Sequence, residues 1–133
     1  LHKLCGTASQ SNAKGSIAVS YKITRVNESY TYEAPGHFGC LTTRLHDPQD
    51  VNDGVLINGL THFLPGGGTD MGNNPMESIY YIVEGEMTLK TDDGEFVLNA
   101  GDSFHCGPGT NKCVKNTGTS SAKMLVVLTN PNK

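Results

Sequence analysis

From Val19 onward the chain alternates apolar and polar positions over short runs, and no stretch of about 11 residues keeps the apolar stripe of a helix. The pattern predicts strands at Val19 to Val26, Cys40 to His46, Val55 to Leu64, Met76 to Val83, Glu86 to Thr91, Glu95 to Leu98, Asp102 to Cys106, Lys112 to Asn116 and Ala122 to Thr129. β-Branched and aromatic residues, which suit a pleated and half-buried surface, are frequent in them. Turn formers stand between them: Asp-Pro and Asn-Asp-Gly between His46 and Gly54, Thr91-Asp-Asp-Gly94, and Gly107-Pro-Gly109. Many short antiparallel strands with such turns predict an all-β sandwich or jelly-roll barrel. Residues 1–18 are small, polar and aperiodic and read as a flexible N-terminal arm; 19–133 read as a single barrel domain.

Alternation also assigns faces. Ser78, Tyr80 and Ile82 share one face of their strand, while Ile79, Tyr81 and Val83 share the other. Both faces are apolar, which suits either a central strand or one covered by a second subunit. Together with an arm that cannot fold alone, this predicts a homodimer. The same counting puts Lys112, Val114 and Asn116 on one face and Cys113 and Lys115 on the other.

Composition narrows the partners. At 133 residues the chain can bury a core of its own. A formal net charge of −3 without a Lys/Arg cluster argues against nucleic acid, because phosphate binding needs a concentrated basic surface. No apolar run approaches the length of about 20 needed to span a bilayer, and the start has no signal-peptide apolar core, so no membrane partner is expected. Cys5, Cys40, Cys106 and Cys113 form no CxxC pair, which argues against a zinc knuckle or a redox dithiol. Reduced thiols and a cytoplasmic location are the expectation.

Two stretches carry a resemblance. The run PGGGTDMGNNPMESIYYIVEGEM, Pro65 to Met87, has a glycine-rich turn followed by an aromatic-rich strand that ends in Gly85. The run GDSFHCGPGTNKCVKN follows the spacing GDxxxxPxGxxHxxxN, with Gly101, Gly109 and Asn116 in place, Gly107 where the proline belongs and Lys112 where the histidine belongs. Over roughly half its length by motif, the chain resembles the cupin superfamily, with degenerate metal-binding motifs. The resemblance implies a double-stranded β-helix of the RmlC-like jelly-roll type. Its functional implication is broad, since cupins include dioxygenases, isomerases, epimerases, lyases and ligand-sensing or storage modules.

The departures from the motifs all fall on the chemistry. Met71 and Asn73, or Gly72 and Asn74 at a spacing one shorter, stand where the family's first two histidines stand, and Ser78 takes the glutamate's place. None is a good ligand for zinc, iron, manganese or nickel. The resulting expectation is a barrel without a metal cofactor that binds a small polar or anionic molecule. Lys112 and Asn73 would lie near the pocket, with Tyr80, His62 and His105 as polar liners. The alternative is a metal-dependent dioxygenase, isomerase or lyase that holds a divalent metal such as Zn, Fe, Mn or Ni on His62, Glu77 and His105, with Asp70 as a further donor. A third reading is a structural or regulatory module whose barrel is filled by side chains.

Single residues carry alternatives of their own. Lys112 either reaches an anion inside the barrel or keeps its ammonium in water at the mouth while its stem covers apolar surface. Glu77 precedes the inward Ser78, so strict alternation sends it outward. The Gly66-Gly67-Gly68 run precedes no helix and reads as a turn, not a phosphate loop. His105 and Cys106, adjacent on a strand, point to opposite faces and make no base and nucleophile pair. Ser78 has no elbow turn around it.

Overall fold

The computed structural model describes residues 21–50 and 54–130 and contains nine strands and two short 3-10 turns, with no α-helix among the described residues. The strands are β1 (Tyr30–Tyr32), β2 (His37–His46), β3 (Leu56–Thr69), β4 (Ser78–Glu84), β5 (Glu86–Thr91), β6 (Gly94–Asn99), β7 (Ser103–Cys106), β8 (Lys112–Lys115) and β9 (Ala122–Thr129). All recorded pairings are antiparallel. The path runs β6-β5-β8-β3-β9-β4-β7, with β2 on β3 and β1 on β2. This is the expected all-β jelly-roll barrel.

β3 pairs with β2, β8 and β9. Its first half, Leu56 to Phe63, pairs with β9, and Gly68 near its end pairs with Lys115 of β8. The strand therefore runs through Pro65 and the three glycines, where the sequence predicts a turn. Close backbone approach explains why glycine stands there: a Cβ on Gly67 would come 2.1 Å from the Gly39 carbonyl oxygen, and one on Gly68 would come 2.3 Å from that of Val114. Asn116 pins the same corner, its amide nitrogen donating to the carbonyls of Phe63 (3.1 Å) and Ser120 (2.8 Å) while its Oδ1 accepts from the Gly118 N–H (2.9 Å).

Inside the barrel lies a core of Phe63, Tyr80, Ile82, Met87, Leu89, Cys106, Val114, Ala122 and Met124. On β4 the predicted faces hold, with Ser78, Tyr80 and Ile82 buried and Ile79, Tyr81 and Val83 exposed. The first expected strand does not form as such. Residues 21–25 are irregular and Val26–Glu28 form a 3-10 turn, because the Asn27-Glu28-Ser29 run caps locally: the Arg25 N–H donates to the Glu28 carboxylate at 2.9 Å. The edge strand is instead the short Tyr30-Thr31-Tyr32, paired on β2 with Tyr30 opposite Arg44 and Tyr32 opposite Thr42. The expected arm, 1–18, lies outside the described residues.

Candidate functional site

One end of the barrel is filled and the other encloses a cavity of about 600 Å³. Its apolar wall comes from β9, where Met124, Val126 and Leu128 fall on one face by the period of two. Thr61 and Gly59 of β3 continue the wall, and Arg44 of β2 and Tyr32 of β1 complete it. The loop from Asp70 to Met76 closes the rim.

That loop is held from three sides. The Asp70 N–H donates to the Gly36 carbonyl (2.8 Å), Gly72 and Lys112 exchange backbone hydrogen bonds at 3.0 and 2.9 Å, and the Gly109 N–H donates to the Asn74 carbonyl (2.9 Å). The Asn74 side chain accepts from the Met76 N–H at 2.7 Å, closing a local turn. The two motif segments are thereby tied together, and Met71 and Asn73 stand on the same rim as Lys112.

Lys112 is half-buried on the cavity wall, its Nζ 5.2 Å from the centroid of the Tyr80 ring. The side chain lines the cavity, with its ammonium over a ring face. The Tyr80 ring is stacked on Phe104 with centroids 6.0 Å apart, so its face is fixed as a platform for the ammonium. Tyr80 and Asn73 line the cavity as well, Asn73 from an exposed position on the rim.

The two histidines lie elsewhere. His62 sits between Thr61, which lines the cavity, and Phe63, which is in the core, so the pleat turns its side chain to the opposite face beside Leu41 and Lys123. Its Nδ1 is buried there without a hydrogen-bond partner. His105 lies across from Ile79 on the outer face of β7, its Nε2 2.6 Å from Glu77 Oε2, and the two side chains are 59% and 52% exposed. Expecting these histidines as cavity liners is therefore corrected: residue type suggested it, and strand parity overrides it.

The alternative metal set does not converge. Glu77 and His105 meet, but across β4, β9 and β3 the rung of Ile79 continues through Val127 to Asn58, four residues from His62 and about 13 Å away along the strand. Among the described residues no group of three or more His, Cys, Asp or Glu side chains could hold a metal ion. The positions of the family's metal ligands carry Met71, Asn73 and Lys112 on the cavity wall and Ser78 in the buried interior. These donors do not fit a divalent metal.

A network missed by the sequence reading surrounds Arg44. Its guanidinium carbon stands 4.5 Å over the Tyr32 ring centroid, and its Nε is 3.6 Å from Asp47 Oδ1. Asp47 Oδ2 accepts from the Tyr30 hydroxyl at 2.7 Å, and this bond to a carboxylate holds the phenol's pKa above its usual value. Asp50 completes the cluster with Lys22 at 3.0 Å and His46 at 3.4 Å. Burial alone would raise the Asp50 carboxyl, but the Asp47 N–H, Lys22 and His46 together hold it below the ordinary aspartate value. No local pattern places Arg44 there, because register shifts on β2 between Phe38 and Cys40 and between Arg44 and His46 interrupt the count on both sides.

The architecture and the motifs find matching relatives. A beta-D-galactosidase of Mycobacterium tuberculosis is 29% identical over 110 residues, covering 83% of this chain and 95% of that protein. Among solved structures, the polyketide cyclase RemF of Streptomyces resistomycificus superposes with a TM-score of 0.72 at 18% identity, over 83% of this chain and 80% of the other. An RmlC-like cupin from Shewanella frigidimarina superposes with a TM-score of 0.68 at 19% identity, over 83% and 91%. The family model described as cupin domain matches residues 59–128, which run from the bare backbone of the cavity wall through the loop, the platform tyrosine and Lys112 to the last apolar wall residue. With more than half of its length under that match and a jelly-roll barrel to carry it, the chain belongs to the cupin domain family.

Proposed function

We propose that the barrel binds a small polar or anionic organic molecule without a metal, with the Lys112 ammonium as its charged anchor. The observation that carries this reading is the position of that ammonium, on the wall of a cavity of about 600 Å³ and over the face of an immobilised tyrosine. A cavity of this size suits a small metabolite, and an apolar wall with a few convergent polar groups is the usual composition of such sites. Asn73, Tyr80 and Thr61 supply hydrogen bonds at the rim and wall.

The galactosidase name of the relative bears on the chemistry. Glycoside hydrolysis ordinarily requires two carboxyl groups flanking the bond. Among the described residues that line the cavity, Asp70 is the single carboxylate, so binding is the better-supported reading here. The exposed apolar row Ile79, Tyr81 and Val83 supports the homodimer as part of the same proposal, since a second copy would cover it.

A charge-assisted contact is worth about 1.5–3 kcal/mol, so Lys112→Met is expected to weaken an anionic ligand by roughly ten- to a hundredfold. The exposed Lys115→Met is the control. Thermal-shift screening of organic acids and sugar phosphates, followed by calorimetry on both variants, tests it. Equal affinities would reduce Lys112 to a solvated residue at the mouth, and stoichiometric metal in the purified protein would favour a metal-dependent activity.

A further inference from the structure

We infer that Arg44 forms a second anionic subsite on the same cavity, and that the ligand is a small organic molecule with two acidic groups at the ends of a short carbon skeleton. This rests on the reading of Lys112 as an anion anchor and extends it.

The two cations are placed by one rung of the barrel. Tyr80 of β4 lies across from Val126 of β9, Val126 from Gly59 of β3, and Gly59 from Arg44 of β2. At one end of the rung Lys112 stands over Tyr80, and at the other Arg44 stands over Tyr32. All of these residues line the cavity. Each cation is thus parked on an aromatic face, which orients it without neutralising it.

What lies between them is shaped for a carbon chain. Val126 is flanked along β9 by Met124 and Leu128, an apolar strip on the cavity side. Gly59 contributes only backbone; a Cβ there would meet the Thr43 carbonyl oxygen at 2.6 Å, so close strand approach keeps this part of the wall bare beside the guanidinium.

Arg44 is also under-compensated. Its side chain is 17% exposed, and its ion pair with Asp47 is a single-point contact at 3.6 Å. Charge-assisted N–H···O bonds run at about 2.7–2.9 Å, and a guanidinium favours two parallel bonds to one carboxylate or phosphate. Asp47 does not offer that geometry here: its Oδ1 stands 3.6 Å from the Arg44 Nε and its Oδ2 accepts from the Tyr30 hydroxyl at 2.7 Å. A largely desolvated cation with a loose partner has most to gain from an incoming anion. Arg44 and Lys112 are the two cations of the described lining and Asp70 its single carboxylate, with Asp47 behind Arg44, so each acidic group of an incoming molecule would meet one cation.

The probes are glutarate and adipate, their monocarboxylate counterparts pentanoate and hexanoate, and inorganic phosphate, which carries its charge at one point. Calorimetry on the full chain at low ionic strength is expected to show a dicarboxylate bound at least roughly tenfold more tightly than the monocarboxylate of equal length. Arg44→Gln should bring the dicarboxylate to the level of the monocarboxylate. Asp47→Asn, which keeps Arg44 and removes its competitor, should tighten the dicarboxylate and serves if Arg44→Gln does not fold. Equal binding of both acids, or preference for phosphate over every dicarboxylate, overturns the two-point site while leaving Lys112 as an anchor. Absence of binding by any of the acids and by phosphate overturns both readings.

Discussion

The filled end of the barrel and its open end are built by the same pleat but answer to different physics. At the filled end, inward positions carry Ile82, Met87, Leu89 and Ala122, all essentially inaccessible, and what matters there is volume. At the open end the same inward parity delivers Arg44 and Lys112, each resting on a ring, and what matters there is incompletely compensated charge. Individual strands cross from one regime to the other within a few residues: on β4, Ile82 belongs wholly to the core, while Tyr80 two residues earlier is both core and cavity wall. A side chain's burial in this fold therefore says little about its role until its height along the barrel axis is known.

The contrast is most directly challenged at Ile82. Ile82→Ala leaves a cavity among Met87, Ala122 and Met124 and is expected to cost about 2–5 kcal/mol in urea unfolding. Lys112→Met at the open end should leave the unfolding midpoint unchanged or raise it, since it removes a partly desolvated charge and keeps the stem's bulk. Comparable losses for the two variants would dissolve the distinction between the ends.

Asn116 sharpens it, as a buried polar residue among the apolar positions. Asn116→Ala removes two donated bonds and one accepted bond and strands the carbonyls of Phe63 and Ser120. The expected cost is about 1–3 kcal/mol, measured by the same denaturation. A loss below that range would mean that water replaces the amide and that the corner is open.

The smallest effect belongs to the cluster behind the cavity. Asp50 is held below the ordinary aspartate value, so its stabilising contribution is complete above the unfolded-state value of about 3.9 and is lost as pH falls through the lower folded value. Asp50→Asn should lower the unfolding free energy in urea at pH 6, by less than about 1 kcal/mol given the partial exposure of its Lys22 and His46 partners. At pH 3 the gap to the unsubstituted protein should shrink. A gap that is constant or grows toward acid would show that the charge of Asp50 is not what ties β2 to Lys22.

By itself the sequence determined the all-β class, most strand positions, the two faces of β4 and the shared face of Lys112, Val114 and Asn116. These follow from the period of two, which is a local property of the backbone. Parity also separates His62 from Thr61 and Phe63, and weighing residue type above it misplaced that histidine. Tertiary structure decided the rest. Whether β3 turns or continues at its glycines depends on how closely Gly39 and Val114 approach it, which no local pattern encodes. Arg44 could be assigned to the cavity only after β2 was paired in register, because bulges between Phe38 and Cys40 and between Arg44 and His46 interrupt the count on both sides. That Lys112, Tyr80, Tyr32 and Arg44 surround one space is a consequence of barrel closure, which brings together residues far apart in the chain through hydrogen bonds between strands that are not neighbours in sequence.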